Sequence, residues 1–169
     1  MAALKHEIAQ ERPFSSIEEE AFLNLMRTTD CLHRAFQRKT RDWGITSTQY
    51  NILRILRGAG AAGIATLAIA DRLIEAAPGM TRLLDRMEEK GLARRERCRQ
   101  DRRQVLCYST PRGEEILHEL DPLVLELNRA SFAGVEPAEL ERLIAVLERA
   151  RAGAEPIGAP RPVTDSNVK

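Results

Sequence analysis

From Phe22 onward, Leu25, Met26, Thr29, Leu32, His33 and Phe36 recur every three or four positions, the spacing of one face of an α-helix. Ser16 followed by Glu19 is an S-x-x-E capping box, so this helix is expected to begin there, run to about Arg41 and stop near Gly44. A second box, Thr46 with Gln49, precedes YNILRIL. There Ile52, Leu53, Ile55 and Leu56 are apolar nearly all round, the mark of a helix buried on most sides. GAGAAG at 58–63 reads as a loop. Beyond it, Leu67, Ile69, Ala70, Leu73 and Ile74 are placed on one side of a short helix. Ala77-Pro78-Gly79 interrupts, and Pro suits a helix's first turn. Met80, Leu83, Leu84 and Met87 then stand at i, i+3, i+4 and i+7, with Thr81, Arg82, Asp85 and Arg86 on the opposite face. Gly91 closes this second helix as its C′ residue.

Two short helices with a tight break between them form a helix-turn-helix candidate, a weak signal alone. The neighbouring segment strengthens it. Residues 92–99 and 104–109 read as strands joined across Gln100 to Arg103, and a helix-turn-helix followed at once by a hairpin is a winged helix. Thr110-Pro111 caps a long helix through about Gly134, with Leu117, Leu120, Val124 and Leu127 on its apolar side and a bend or break expected at Pro122. A last helix, roughly 137–151, carries Leu140, Leu143, Ile144 and Leu147. The pattern predicts a mainly α chain with one β-hairpin. Residues 46–110 form a winged helix-turn-helix lobe, and 16–45 with 111–151 a helical dimerisation region. Residues 1–15 form an N-terminal extension of little pattern, and 152–169 a Pro-rich polar tail expected to be disordered.

Composition suits one ordinary soluble domain: 169 residues, 43% hydrophobic and 30% charged, with so few aromatics (4%) that the core must be aliphatic. The formal net charge of +1 points to no polyanionic partner, but its distribution does. Residues 94–103 hold six arginines against two acids, whereas 113–169 hold eleven acids against six bases. Cys31, Cys98 and Cys107 form no CxxC or Cys/His cluster, so neither a zinc site nor a disulfide framework is expected. No metal or other cofactor is implied. No apolar run reaches membrane-spanning length, and residues 1–20 lack a signal-peptide core; a reducing, cytoplasmic compartment is the expectation. His6, His33 and His118 are scattered, and no nucleophile elbow, phosphate loop or HExxH occurs, which argues against an enzyme.

The run TRLLDRMEEKGLARRERCRQDRRQVLCYSTPRG resembles the signature of the MarR family of bacterial transcription regulators, and the resemblance covers roughly residues 20 to 150. Its most specific part is the D-x-R of Asp101 and Arg103, ten residues after the Lys90-Gly91 helix end and just before the T-x-x-G of Thr110 to Gly113. The resemblance implies a homodimer with interlocked first and last helices, two winged lobes, and operator DNA with an inverted repeat. It also implies, in many members, a small aromatic or anionic effector. The chain departs from the pattern at Ala77-Pro78-Gly79, where members often have a capping Ser or Thr, and at Ser109, where Leu is usual.

Double-stranded DNA is the partner these features suit. Thr81, Arg82, Asp85 and Arg86 are placed to reach base edges and phosphates in the major groove. Arg95, Arg97, Arg99, Arg102 and Arg103 make a hairpin that phosphates attract and whose slim tip suits the minor groove. Asp101 would repel phosphate, so it is expected to hold Arg103 and cap the turn; the family resemblance makes Arg103 the groove-inserting residue. Apolar stripes with nothing of their own to cover should pair with a second copy, making Phe22, Leu25, Leu140, Leu143, Ile144 and Leu147 the dimer candidates. The reading is a dimeric, sequence-specific repressor of a palindromic operator, released by a small effector. Plainer readings stand beside it. Arg82 and Arg86 could simply solvate a helix face. The arginines around Cys98 and Cys107 favour thiolate and suggest a redox sensor, against which Cys107 is more simply a small apolar strand residue and Cys98 an incidental thiol. A protein-interaction module without DNA binding would want an acidic recognition face and a charge-poor wing, and this chain has neither.

Overall fold

The computed structural model describes residues 4–98 and 104–158. Seven α-helices occur among them: α1 (Leu4–Glu7), α2 (Ile17–Lys39), α3 (Ser47–Ala59), α4 (Thr66–Ala70), α5 (Met80–Glu89), α6 (Pro111–Ser131) and α7 (Pro137–Gly158). Three strands, β1 (Ile64–Ala65), β2 (Ala93–Arg97) and β3 (Val105–Ser109), form an antiparallel sheet in the order β1-β3-β2. The chain divides into two compact units, Met1–Ser131 and Phe132–Lys169. The first holds the helix-turn-helix and the wing, the mainly helical winged architecture that the hydrophobic pattern implies.

Both capping boxes form. Ser16 Oγ accepts the Glu19 N–H at 3.2 Å, while the Glu19 carboxylate accepts the Ser15 N–H at 2.6 Å. Thr46 and Gln49 close a full reciprocal box at 3.2 and 3.1 Å. Each satisfies N–H groups that a helix start leaves open. After α2 a 3-10 turn, Arg41–Trp43, ends at Gly44 in the left-handed region (φ 61°), at the expected stop.

α3 is the centre of the first unit. Ile52, Leu53 and Leu56 are fully buried, packed among Ile69 of α4, Leu84 and Met87 of α5, Cys107 of β3 and Leu117 and Leu120 of α6. Each such side chain contributes about 2 kcal/mol by leaving water. Where α3 meets α6, the Tyr50 hydroxyl donates to Asp121 Oδ1 at 2.6 Å and Arg57 Nη2 lies 2.7 Å from Asp121 Oδ2. Burial, then the Asp121 bond, pushes the Tyr50 phenol up to about 12. Burial works against the Asp121 carboxylate, but the bonds from Tyr50 and Arg57 prevail and hold it below its ordinary value.

A second junction joins α5, the wing and α6. α5 ends in a Schellman turn: the Gly91 N–H (φ 66°) donates to Glu88 O and the Leu92 N–H to Met87 O, both at 2.8 Å, turning Leu92 into the core. Thr110 Oγ1 donates to Gly91 O at 2.5 Å and accepts the Gly113 N–H at 3.1 Å, capping α6. A Cβ on Gly113 would strike the Leu92 carbonyl oxygen and lie 2.9 Å from Ser109 Oγ and 3.0 Å from Leu53 Cδ2. The glycine of T-x-x-G is therefore required by close backbone approach.

Several elements depart from the sequence expectation. Within the 1–15 extension, α1 is ordered, with Leu4 buried and Glu7 3.4 Å from Arg27. β1 adds a third strand to the hairpin; at two residues it is too short to show alternation. α4 is a turn and a half, so of its supposed apolar face only Ile69 is buried; Leu67 is 80% and Ile74 86% exposed. α6 runs unbroken through Pro122 and stops at Ser131. α7 continues to Gly158, past the expected end at 151; the rest of the expected tail, 159–169, lies outside the described residues.

Two outcomes follow for stability. Gly113→Ala should cost about 2 kcal/mol or more by overpacking, read as a lower urea midpoint, with no such loss for alanine at exposed Gly134. Folding raises the Tyr50 pKa, so its contribution is whole below about pH 10, the unfolded value, and is lost as pH climbs toward 12. Folding lowers the Asp121 pKa, so its contribution is present above about pH 4 and fades as pH falls through the folded value. Tyr50→Phe should lose about 1.5 kcal/mol at neutral pH and flatten the alkaline decline in denaturation midpoints.

Candidate nucleic-acid interface

α5 presents two faces of opposite chemistry. Leu84 and Met87 are fully buried and Met80 and Leu83 half-buried, so the helix is fixed by one side. Thr81, Arg82 and Arg86 project into solvent from the other. Among the described residues neither Arg82 nor Arg86 has a carboxylate partner; Arg86 Nε donates only to Arg82 O, at 3.3 Å. The helix opens at Gly79, a left-handed N-cap (φ 79°) with no side-chain cap, and Pro78 precedes this cap instead of occupying the first turn. Among the described residues the first-turn N–H groups have no side-chain acceptor. At the other end Lys90 Nζ donates to Gly44 O at 2.6 Å, tying α5 to the turn between α2 and α3.

The wing is built on β2 and β3, with Ala93 opposite Ser109, Arg95 opposite Cys107 and Arg97 opposite Val105. Alternation then sorts its side chains. Ala93 is buried and Arg95 largely covered on the inner face. Arg94 lies on the outer face, 4.2 Å from the Tyr108 ring centroid and paired with Glu96. Arg97 is exposed and, among the described residues, without a carboxylate partner. The last described rung is the Cys98 N–H to Gln104 O bond at 3.0 Å. Arg99, Asp101, Arg102 and Arg103 lie outside the described residues.

Arg95 and Asp85, both expected to face DNA, face each other. The Arg95 backbone N–H and Nε donate to the two Glu88 carboxylate oxygens at 2.7 Å each, and Nη2 reaches Glu88 Oε2 at 2.6 Å and pairs with Asp85. These bonds, Glu88's foremost, push the Arg95 pKa further up. Glu88 carries no signal in the sequence as a partner, since the contact needs the turn at Gly91 to fold β2 back against α5.

The three cysteines differ in setting. Cys31 is exposed on α2, Cys98 is half-buried, and Cys107 is fully buried in the core. Burial pushes the Cys107 thiol up; the Thr66 bond and the Arg95 charge pull the other way but do not prevail. Cys98 stands three register positions from Arg95, the residue opposite Cys107. That is about 10 Å along the sheet and on its other face, too far for a disulfide without remodelling the hairpin.

Of the dimer candidates in the first unit, Phe22 (62% exposed) and Leu25 project from α2 beside exposed Met26. In the second unit Leu143 and Ile144 are exposed on α7, and Leu140 and Leu147 half-buried. A cleft of about 260 Å³ opens between α2, α3, the α4–α5 loop and α6, lined by Phe36, Ser47, Tyr50, Asn51, Arg54 and Glu75 among others. Ser47 Oγ is buried without a hydrogen-bond partner among the described residues. His33, half-buried, holds the cleft's rim with Nδ1 3.7 Å from Glu75 Oε1. No helix among the described residues is long and apolar enough to cross a membrane.

Comparison with known proteins agrees with this geometry. The model of the MarR family matches residues 45–105, from just before α3 to the first residue of β3. The chain is 30% identical over 145 residues to YkoM, an uncharacterized HTH-type transcriptional regulator of Bacillus subtilis, covering 81% of this chain and 90% of that one. It is similar to the crystal structure of a MarR transcription factor from Planctomyces limnophilus, with 35% identity, a TM-score of 0.61, and 80% and 98% of the two chains covered. Its fold is also that of Sco3205, a MarR family transcriptional regulator from Streptomyces coelicolor crystallised in complex with DNA (22% identity, TM-score 0.72, 89% and 94% covered). With a basic helix face beside a basic winged hairpin, and a relative of this identity spanning most of its length, the chain belongs to the MarR family of transcription regulators.

Proposed function

We propose that the protein is a homodimeric repressor that reads a palindromic operator and lets go when a small aromatic or anionic molecule enters the cleft beside α3. The observation that carries the reading is the exposed basic face of α5, Arg82 and Arg86 with Thr81, held outward by the burial of Leu84 and Met87. In this reading α5 lies in the major groove, where arginines suit guanine edges and phosphates, and its uncapped N–H groups meet a phosphate. The wing tip with Arg99, Arg102 and Arg103 enters the neighbouring minor groove, Asp101 steadying Arg103. Sco3205, which shares the fold, was crystallised with DNA, and that supports the assignment.

Dimerisation rests on Phe22 and Leu25 of α2 and on Leu140, Leu143, Ile144 and Leu147 of α7, apolar side chains that a second copy would cover. The effector would occupy the cleft, where Phe36 and Tyr50 offer aromatic surface, Arg54 a positive charge, and Ser47 Oγ an unspent hydrogen bond. The buried, unreactive setting of Cys107 favours a ligand over an oxidant as the signal.

Selection of bound duplexes from a random pool tests this reading. The expected product is an inverted repeat with half-sites about one helical turn apart, and a pool with no enrichment would reject it. On the selected duplex Arg103→Ala should weaken binding by about 1–3 kcal/mol. Affinity should also fall steeply with salt on a log–log plot, whereas a flat titration would point to a protein partner.

A further inference from the structure

Two carboxylates, Asp85 and Glu88, stand beside a surface read here as phosphate-binding. On charge alone they are misplaced: with Arg95 the trio carries net −1, and neutralising either acid would improve affinity for a polyanion. Their geometry gives a different reason for their presence. Register sets Arg95 on the inner face of the sheet, opposite buried Cys107, so its side chain runs back beneath the wing toward α5. There Glu88 accepts from both the backbone N–H and Nε of Arg95 at 2.7 Å, and Nη2 is shared between Glu88 and Asp85. The side chains of Arg95 and Glu88 are only 24% and 31% exposed. One fork thus binds a turn of the recognition helix to the root of the wing through main chain and side chain together, a planar match that a lysine ammonium cannot reproduce.

We propose that Arg95 is a positioning residue that touches no DNA, and that its clamp on Glu88 and Asp85 sets the angle of the wing against α5. That angle fixes the distance between what α5 reads and where the wing tip lands. The proposal rests on the reading that α5 and the wing grip DNA together, and its test separates the two.

The wild-type chain is first used to select a duplex, and variants are then titrated on it. Glu88→Gln should weaken binding about tenfold despite removing a negative charge. Arg95→Lys, which keeps the charge but loses the fork, should weaken it similarly. Tighter binding by Glu88→Gln, or undiminished binding by Arg95→Lys, would make the trio a matter of charge and overturn the proposal. A readout without DNA accompanies these: the Arg95 Nε–H proton should exchange slowly with water in the wild type by NMR and quickly in Glu88→Gln. Fast exchange in the wild type would sink the clamp whatever the DNA result. If the wild type selects no duplex while the proton stays protected, the DNA reading fails and the clamp survives as a structural contact alone.

Discussion

The lobe depends on one crossing of main chain, where the exit of α5 at Gly91-Leu92 lies against the entry of α6 at Thr110–Gly113. The Thr110 N–H donates to Leu92 O at 3.3 Å, its hydroxyl donates to Gly91 O, and Gly113 offers no side chain to keep the strands apart. Four elements meet at this point. α5 ends there, β2 begins there, β3 returns to it, and α6 starts from it toward α2. Because the contact ties backbone carbonyls to the Thr110 amide and hydroxyl, the ends of the wing are set chiefly by backbone geometry.

From that crossing the rest is arranged by burial. α3 lends its aliphatic side chains to both the helix-turn-helix and α6, and the Tyr50–Asp121–Arg57 group locks the α3–α6 contact with directional bonds. α2 packs on the same assembly yet none of its residues is fully buried, and its Phe22, Leu25 and Met26 stay in water. On a helix of 23 residues, that is a continuous apolar strip left uncovered within the chain.

Local chemistry was legible in the sequence wherever it acts over a few residues. The boxes at Ser16/Glu19 and Thr46/Gln49, the stop at Gly91 and the stripe of Leu84 and Met87 each need only neighbours within a turn or two, and each stands where periodicity put it. What the sequence hid depends on distant partners. β1 exists because Ile64 finds Cys107, forty-three positions on. Leu67 and Ile74 fit a helical stripe on paper, but α4 ends at Ala70, before the stripe can close over the core. Asp85 reads as an outward residue on a helical wheel, and only the fold-back of β2 reveals that Arg95 claims it. The exposed basic face of α5 was visible from spacing alone, whereas the cleft beside α3 was not, because Phe36, Ser47 and Glu75 come from three separate segments.

The last described rung of the wing is the bond between Cys98 and Gln104, and residues 99–103 beyond it lie outside the described residues. Among the described residues the hairpin is fixed below that rung, by Arg95, the β2–β3 register and the Gly91–Thr110 crossing. The segment beyond that rung is therefore a detachable module in evolutionary terms. Its length and sequence can drift at a closure cost that grows only with the logarithm of its size, while the scaffold beneath keeps its shape. A chain built on this plan can thus vary that segment without renegotiating its fold.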